Sequence, residues 1–153
     1  MPSVWQKAPH FQQSTEGRCL EACVCMLLAH LESPVLESKV SELFEATEIG
    51  TPASRVLRLK KWGYRVIYRS AALAELGGWL AEGSPPIIFV HTQFLDYWME
   101  NSPHAVLLVG MDENQVYLND PAFPTAPQLC SLDGFIAAWT EMDEVAAVIT
   151  RSG

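Results

Sequence analysis

The chain has no long uncharged apolar run, few basic residues and only four cysteines, and each shortage excludes something. No stretch approaches the ~18 consecutive apolar residues that a membrane-spanning helix requires. The opening residues Met1-Pro2-Ser3-Val4-Trp5-Gln6-Lys7 carry no apolar signal core. The expected compartment is therefore the cytoplasm, with no membrane span. Ten Lys and Arg stand against eighteen Asp and Glu, a net charge of −8, and the cations are scattered rather than clustered. That distribution disfavours nucleic acid or an anionic membrane surface and favours a basic or neutral peptide partner. Three of the cysteines, Cys19, Cys23 and Cys25, fall on one expected helix, where they are poorly placed to bridge one another. Reduced thiols are expected. No repeat, low-complexity run or linker divides the 153 residues, and 49% hydrophobic content suffices for one core. The expectation is a single domain, 1–153.

What is present divides into helices first and strands later. Cys19 to Leu31 is almost continuously apolar and rich in Leu, Ala and Met, which predicts a buried central helix. Val35, Leu36, Val40, Leu43 and Phe44 recur at helical spacing between charges and predict an amphipathic second helix. Pro52 to Trp62, opened by Gly50-Thr51-Pro52 and closed by Gly63, reads as a third. Tyr64 to Tyr68 alternates as a strand, Ala71 to Ala81 reads as a helix, and Gly83-Ser84-Pro85-Pro86 breaks it. Ile87–His91, His104–Met111 and Gln115–Asn119 are β-type runs, the last two joined as a hairpin by Asp112-Glu113-Asn114. A proline-rich loop (Pro121 to Pro127), a helix from Leu132 to Met142 capped near Ser131 or Asp133, and a strand Val145–Ile149 complete an α+β chain.

The chemistry concentrates at Gln13-Ser14-Thr15-Glu16-Gly17-Arg18-Cys19. A cysteine opening a helix has its thiolate favoured by the helix N-terminus, and a glutamine six residues earlier has the spacing of an oxyanion donor. In the hairpin, the start of the first strand returns beside the end of the second, which brings His104 and Asp120 together as a histidine and its orienting acid. Singly, each has an ordinary reading: Cys19 as a small buried residue, His104 as a capping histidine, Asp120 as a turn residue, Gln13 as a loop residue. Their combination favours catalysis. Cys23 and Cys25 are expected to pack in the core. Cys19, Cys23, a histidine and Cys130 have no recognised zinc spacing, so no metal is expected, and the chemistry needs no cofactor. His10, His30 and His91 have no partner at an informative spacing and default to surface or core roles. Phe94, Tyr97 and Trp98 read as a short helix packed on the sheet, or as a wall of the substrate cleft.

These residues resemble the papain-like cysteine peptidases of the bacteriocin-processing, or double-glycine, type, including stand-alone members. The resemblance rests on Gln13-x5-Cys19-x3-Cys23-x2-Met26, Gly83-x-Pro85-Pro86-Ile87-Ile88, His104 through Asp112, and Val116-Tyr117-Leu118-Asn119-Asp120-Pro121. It implies that N-terminal helices pack on a mainly antiparallel sheet. It also implies that Cys19 is the nucleophile, His104 the base, Asp120 its orienting residue and Gln13 the oxyanion-hole side chain. Two positions depart from the family: Arg18 and Leu20 stand where an acidic residue and a glycine are usual. Arg18 is placed to favour the thiolate by its charge, weakly where water screens it.

The expected reaction is acyl transfer from a peptide or isopeptide bond to water through a thioester, with cleavage after small residues such as Gly-Gly implied by the resemblance. The substrate is then a peptide or protein, and coupling to export calls for a partner protein. Two other readings use the same residues: transfer of the acyl group to an amine, as in an acyltransferase, deamidase or crosslinking enzyme, or a domain that binds a peptide or partner without chemistry.

Overall fold

The computed structural model describes residues 3–152; Met1, Pro2 and Gly153 lie outside the described residues. Helix α1 (Cys19–His30) is buried continuously from Leu20 to Leu28. That explains why its sequence is apolar on every side: no turn of it faces water. Helix α2 (Glu37–Phe44) is amphipathic and buries only Val40 and Phe44. The third expected helix, Pro52 to Trp62, is instead a 3-10 helix over Ala53–Trp62. Its two buried residues, Val56 and Leu59, are three apart, the spacing that a three-residue turn stacks on one face. Gly63, at φ +88°, supplies the left-handed conformation that ends it.

The strands β1 (Val4–Trp5), β2 (Tyr64–Ser70), β3 (Ile87–His91), β4 (Pro103–Met111), β5 (Gln115–Asn119), β6 (Gln128–Ser131) and β7 (Val145–Arg151) form one sheet. Its order is β2-β7-β3-β4-β5-β6, with β1 added alongside β4. Every pairing described is antiparallel. The sequence reading did not contain β1 and β6. Two residues are too few to show alternation, and β6 emerges from a proline-rich loop with only Cys130 buried.

Helices cover both faces. On one, α1 and α2 pack with the 3-10 helix over Phe89, Ala105, Leu107, Val109, Ala147 and Ile149. On the other, α3 (Leu73–Ala81) and α4 (Leu132–Thr140) cover Ile88, Val90, Val106, Leu108 and Ala146. Successive residues of β3 and β4 thus feed opposite cores, which is why these strands read as unbroken apolar runs. Helix α3 starts two residues later than expected, where the Ala72 N–H donates to Glu75 Oε1 at 3.0 Å.

The connection from β3 to β4 is seated against the start of α4. Asp96 accepts from the Ser131 N–H at 2.8 Å and from the Ser131 hydroxyl at 3.2 Å. Ser131 Oγ in turn caps α4 by accepting from the Gly134 N–H at 3.1 Å. A Cβ at Gly134 would lie 2.7 Å from the Phe94 carbonyl oxygen and 2.8 Å from Asp96 Oδ1, so only glycine fits. Gly134→Ala is expected to cost about 1–3 kcal/mol through this overlap, and Ser131→Ala about 1 kcal/mol through loss of the cap. Urea denaturation checks both; an unchanged midpoint for Gly134→Ala would mean that the connection is not seated there.

Candidate active site

Cys19 is the first residue of α1. The preceding Arg18 supplies no side-chain capping bond, and the first intrahelical bond runs from the Ala22 N–H to the Arg18 carbonyl at 3.0 Å. The Cys19 N–H thus has no intrahelical partner and stands at the positive end of the helix. Uncapped helix starts are poor for stability and good for receiving negative charge.

The loop before Cys19 is fixed at several points. The Gln13 N–H donates to the Pro121 carbonyl at 2.8 Å, and the Ser14 N–H and hydroxyl donate to Glu37, the first residue of α2. Gly17, at φ +84°, lies so close to residues 48–50 that an added Cβ would meet the Ile49 carbonyl at 3.3 Å. These ties set Gln13 relative to Cys19. The Gln13 side chain lines the same cleft as Cys19 and His104, and its Oε1 is buried without a hydrogen-bond partner among the described residues.

His104 lies at the start of β4, opposite Val90 of β3. Across the other edge, Leu107 pairs with Asn119, so one further step of that register sets Asp120 opposite Val106, diagonally beside His104 on the same face. His104 Nε2 and Asp120 Oδ1 are 2.7 Å apart, with the carboxylate fully buried and the imidazole nearly so. With Nε2 engaged, Nδ1 is the nitrogen left for the thiol.

Asp120 is tolerable in this position because donors surround it. Oδ2 accepts from the Tyr97 hydroxyl and from Trp98 Nε1, each at 2.8 Å, and Oδ1 also accepts from the Ala122 N–H at 2.9 Å. Burial raises the Asp120 pKa, but the hydrogen bond and charge of His104, with the Trp98 and Ala122 donors, outweigh it and hold the carboxyl below its ordinary value. Burial likewise lowers the His104 pKa, yet the hydrogen bond to Asp120 and the neighbouring Cys19 raise it to about 9. Trp98 stands edge-on to the imidazole at 5.0 Å between ring centroids, and Phe123 packs on both Trp98 and Tyr97. This collar keeps water from the ion pair, which strengthens it.

The four thiols differ sharply. Burial pushes Cys23 well above the ordinary thiol range, Cys25 up to about 12 and Cys130 up to about 11. Cys19 alone of the four is not fully buried and lines the cleft of about 680 Å³ that also holds Gln13 and His104. Among the described residues, no group of three or more His, Cys, Asp or Glu is disposed to hold a metal ion, and no helix is long and apolar enough to cross a membrane.

The structure therefore brings Cys19, His104, Asp120 and Gln13 to one place, three at the cleft surface and Asp120 behind His104. Several expectations change. Arg18 makes its bonds elsewhere: its guanidinium bonds the carbonyls of Gly17 (2.7 Å) and Thr47, and lies 3.9 Å from the buried Glu21. Leu20 is 2% exposed, packs in the core and does not line the cleft. Tyr97 and Trp98 are a cleft wall and also the donors that hold Asp120, a role invisible in their spacing. His10 and Asn119 were likewise missed. The His10 Nε2–H donates to the Asp120 carbonyl at 2.9 Å, and Asn119 Nδ2 donates to the carbonyls of Ala8 (3.2 Å) and Pro9 (3.3 Å). These bonds span more than a hundred residues of sequence, and no local signal announces them.

Asp120→Asn removes the main group sustaining the imidazolium, leaving burial opposed only by the neighbouring Cys19. His104 in this variant is expected to titrate well below the wild-type value, read by NMR of the imidazole; a value still near 9 would show that Asp120 does not hold the proton. The linkage has a definite sign. Because the folded pKa is raised, His104 stabilises the wild type fully below ~6.5, and this contribution is lost as pH rises through about 9. Thermal melting should therefore decline over that window more steeply in the wild type than in Asp120→Asn.

Comparison with known proteins identifies the fold and the family. No curated protein matches the chain in sequence. Among solved structures, the fold is similar to a C39-like peptidase from Bacillus anthracis (TM-score 0.80, 16% identity, covering 100% of this chain and 99% of that one). It is similar to the peptidase domain of Streptococcus ComA, a bi-functional ABC transporter involved in a quorum sensing pathway (TM-score 0.78, 19% identity, 95% and 100% covered). It is also similar to a double glycine motif protease from an AMS/PCAT transporter in complex with the leader peptide (TM-score 0.74, 22% identity, 98% and 96% covered). The model of the Peptidase C39 family matches residues 7–151, nearly the whole chain, and the chain accordingly belongs to that family of cysteine peptidases.

Proposed function

We propose that the chain hydrolyses a peptide or isopeptide bond after small residues such as Gly-Gly, with Cys19 as nucleophile and His104 as general base and acid. Asp120 orients His104, and Gln13 with the Cys19 N–H holds the oxyanion. The observation that carries this reading is the buried 2.7 Å contact of His104 Nε2 with Asp120, which leaves the other ring nitrogen for a thiol on the same cleft. The Cys19 sulfur attacks the carbonyl carbon, and the carbonyl oxygen takes up negative charge between Gln13 Nε2 and the uncapped helix start. The C–N bond then breaks as His104 gives its proton to the leaving amine, forming a thioester. Water, deprotonated by His104, attacks the thioester and releases the acid and the free thiol.

The preference for small residues is supported by the bulk of Tyr97, Trp98 and Phe123 along the cleft and by the fold shared with a double glycine motif protease solved with a leader peptide. The substrate is accordingly a peptide or protein, and coupling to export falls to a partner protein. Both faces of one sheet are covered by helices from both halves of the chain, which supports assigning the activity to one domain. Four free cysteines suit a reducing compartment such as the cytoplasm.

Mass spectrometry of Gly-Gly peptides incubated with the protein tests the reading. Cleavage is expected in the wild type, none in Cys19→Ala, and a loss of about 10²–10³ in kcat for Gln13→Ala. In the same protein, iodoacetamide at neutral pH should modify Cys19 and spare the three buried thiols, with a rate at least about tenfold lower in His104→Ala. Normal labelling without cleavage of any peptide would turn the assignment toward acyl transfer to an amine or toward binding.

A further inference from the structure

The stretch between Gln6 and Gln13 is fixed at its ends by backbone: the Gln6 N–H donates to the Val109 carbonyl and the Gln13 N–H to the Pro121 carbonyl, each at 2.8 Å. Between these points packing holds little. Ala8 lies against the core, but Pro9, Phe11 and Gln12 are exposed. Among the described residues, the hydrogen bonds that join this interval to the rest of the fold involve two neighbours at the end of β5. Asn119 Nδ2 donates to the carbonyls of Ala8 (3.2 Å) and Pro9 (3.3 Å), and the His10 Nε2–H donates to the Asp120 carbonyl at 2.9 Å. Residues 119, 120 and 121 thus grip residues 8–9, 10 and 13 in the same order, as three rungs leading to Gln13.

Asn119 is 3% exposed and faces Leu107 across the ladder. An apolar side chain there would be buried at lower desolvation cost than an amide. Both of the amide's N–H bonds go instead to a segment that packing barely holds. The Gln13 side chain is in the opposite position: its Oε1 is buried and accepts no hydrogen bond among the described residues, so the place of its amide is set by the backbone that carries it.

We propose that Asn119 is a positioning residue for the oxyanion donor: by clasping the Ala8 and Pro9 carbonyls it sets the course of residues 8–13 and, through them, the place of the Gln13 side chain, with His10 as the second clasp. The inference rests on the reading of Gln13 as that donor. It divides two adjacent residues by task, the Asp120 carboxylate serving the base and the Asn119 amide serving the oxyanion. A donor contributes only where it meets the charge that develops in the transition state, so a displacement of about 1 Å is costly even when no reacting group has been changed.

The test is a double-mutant cycle on cleavage of a Gly-Gly peptide, joined to amide hydrogen exchange read by NMR. Asn119→Ala is expected to lower kcat about tenfold with KM within about twofold of wild type, and to have no further effect when added to Gln13→Ala, because the donor it positions is already gone. His10→Ala, at a partly exposed position, should act in the same direction and guards against an Asn119 variant that merely misfolds; His10→Gln, which keeps a nitrogen donor, should recover part of the loss. Iodoacetamide labelling of Cys19, a displacement with no oxyanion, should stay within about twofold of wild type at every pH in all of these. Relative to the α1 amides, the Gln13 amide should exchange at least about tenfold faster in Asn119→Ala and His10→Ala. The proposal is overturned if the kcat losses of Asn119→Ala and Gln13→Ala simply multiply, if labelling falls as far as kcat, which would place Asn119 on the thiol and its base, or if exchange at Gln13 is unchanged. Failure of the wild type to cleave any peptide would defeat the peptidase reading, and the exchange at Gln13 would still decide whether Asn119 positions it.

Discussion

The structure depends on keeping one carboxylate charged where water cannot reach it. Asp120 is fully buried, and an isolated charge in that position costs several kcal/mol. Its tolerance comes from convergence: a histidine, a phenol, an indole and a backbone N–H all point at it. These donors come from the β3–β4 connection, the start of β4 and the residue two beyond Asp120, so the carboxylate organises the end of the hairpin and that connection together, while the Asp120 carbonyl holds His10 of the N-terminal segment. The Tyr97 phenol, whose pKa burial and the Asp120 charge both push up, is a protonated donor at neutral pH. Loss of any one donor leaves the charge less well served, and donors in such a network strengthen one another.

The α1 start complements it. A capped helix would have satisfied its own N–H groups; this one leaves them open beside a thiol and fixes the preceding loop from outside, through Pro121, Glu37 and the 47–51 segment. Local stability is given up at the helix end and recovered through long-range hydrogen bonds. Glu21 is buried as well, with one oxygen on the Thr51 hydroxyl and near Arg18 and the second without a partner among the described residues, so its burial costs desolvation that those contacts only partly offset.

How much of this was legible in the amino-acid order depends on range. Helix α1 was plain because it is buried all round, and the β4–β5 hairpin was plain because its two apolar runs flank a turn; together these place Cys19, His104 and Asp120. The third helix was legible from its signals at Thr51-Pro52 and Gly63, but its 3-10 type was not, because those signals mark the ends of both kinds of helix. Strand β6 was missed because only Cys130 points inward. Tyr97 and Trp98 were read either as part of a short helix packed on the sheet or as a cleft wall, in both cases without their polar function, since a hydrogen bond to a residue more than twenty positions away has no periodicity to betray it. Arg18 was read by its charge alone; its side chain answers to Glu21, three residues on, and to Thr47 and Thr51, which no spacing argument connects to it.

The bonds that lay residues 8–13 along residues 119–121 tie the thiol-bearing loop to the last third of the chain. During synthesis from the N-terminus, Cys19 emerges long before His104, and Gln13 has no anchor until Pro121 has been made. A nascent or truncated chain thus presents Cys19 without His104 or Asp120 beside it and with Gln13 unanchored. The four residues that share this corner of the fold meet only after most of the chain has been made, with β6, α4 and β7 still to follow.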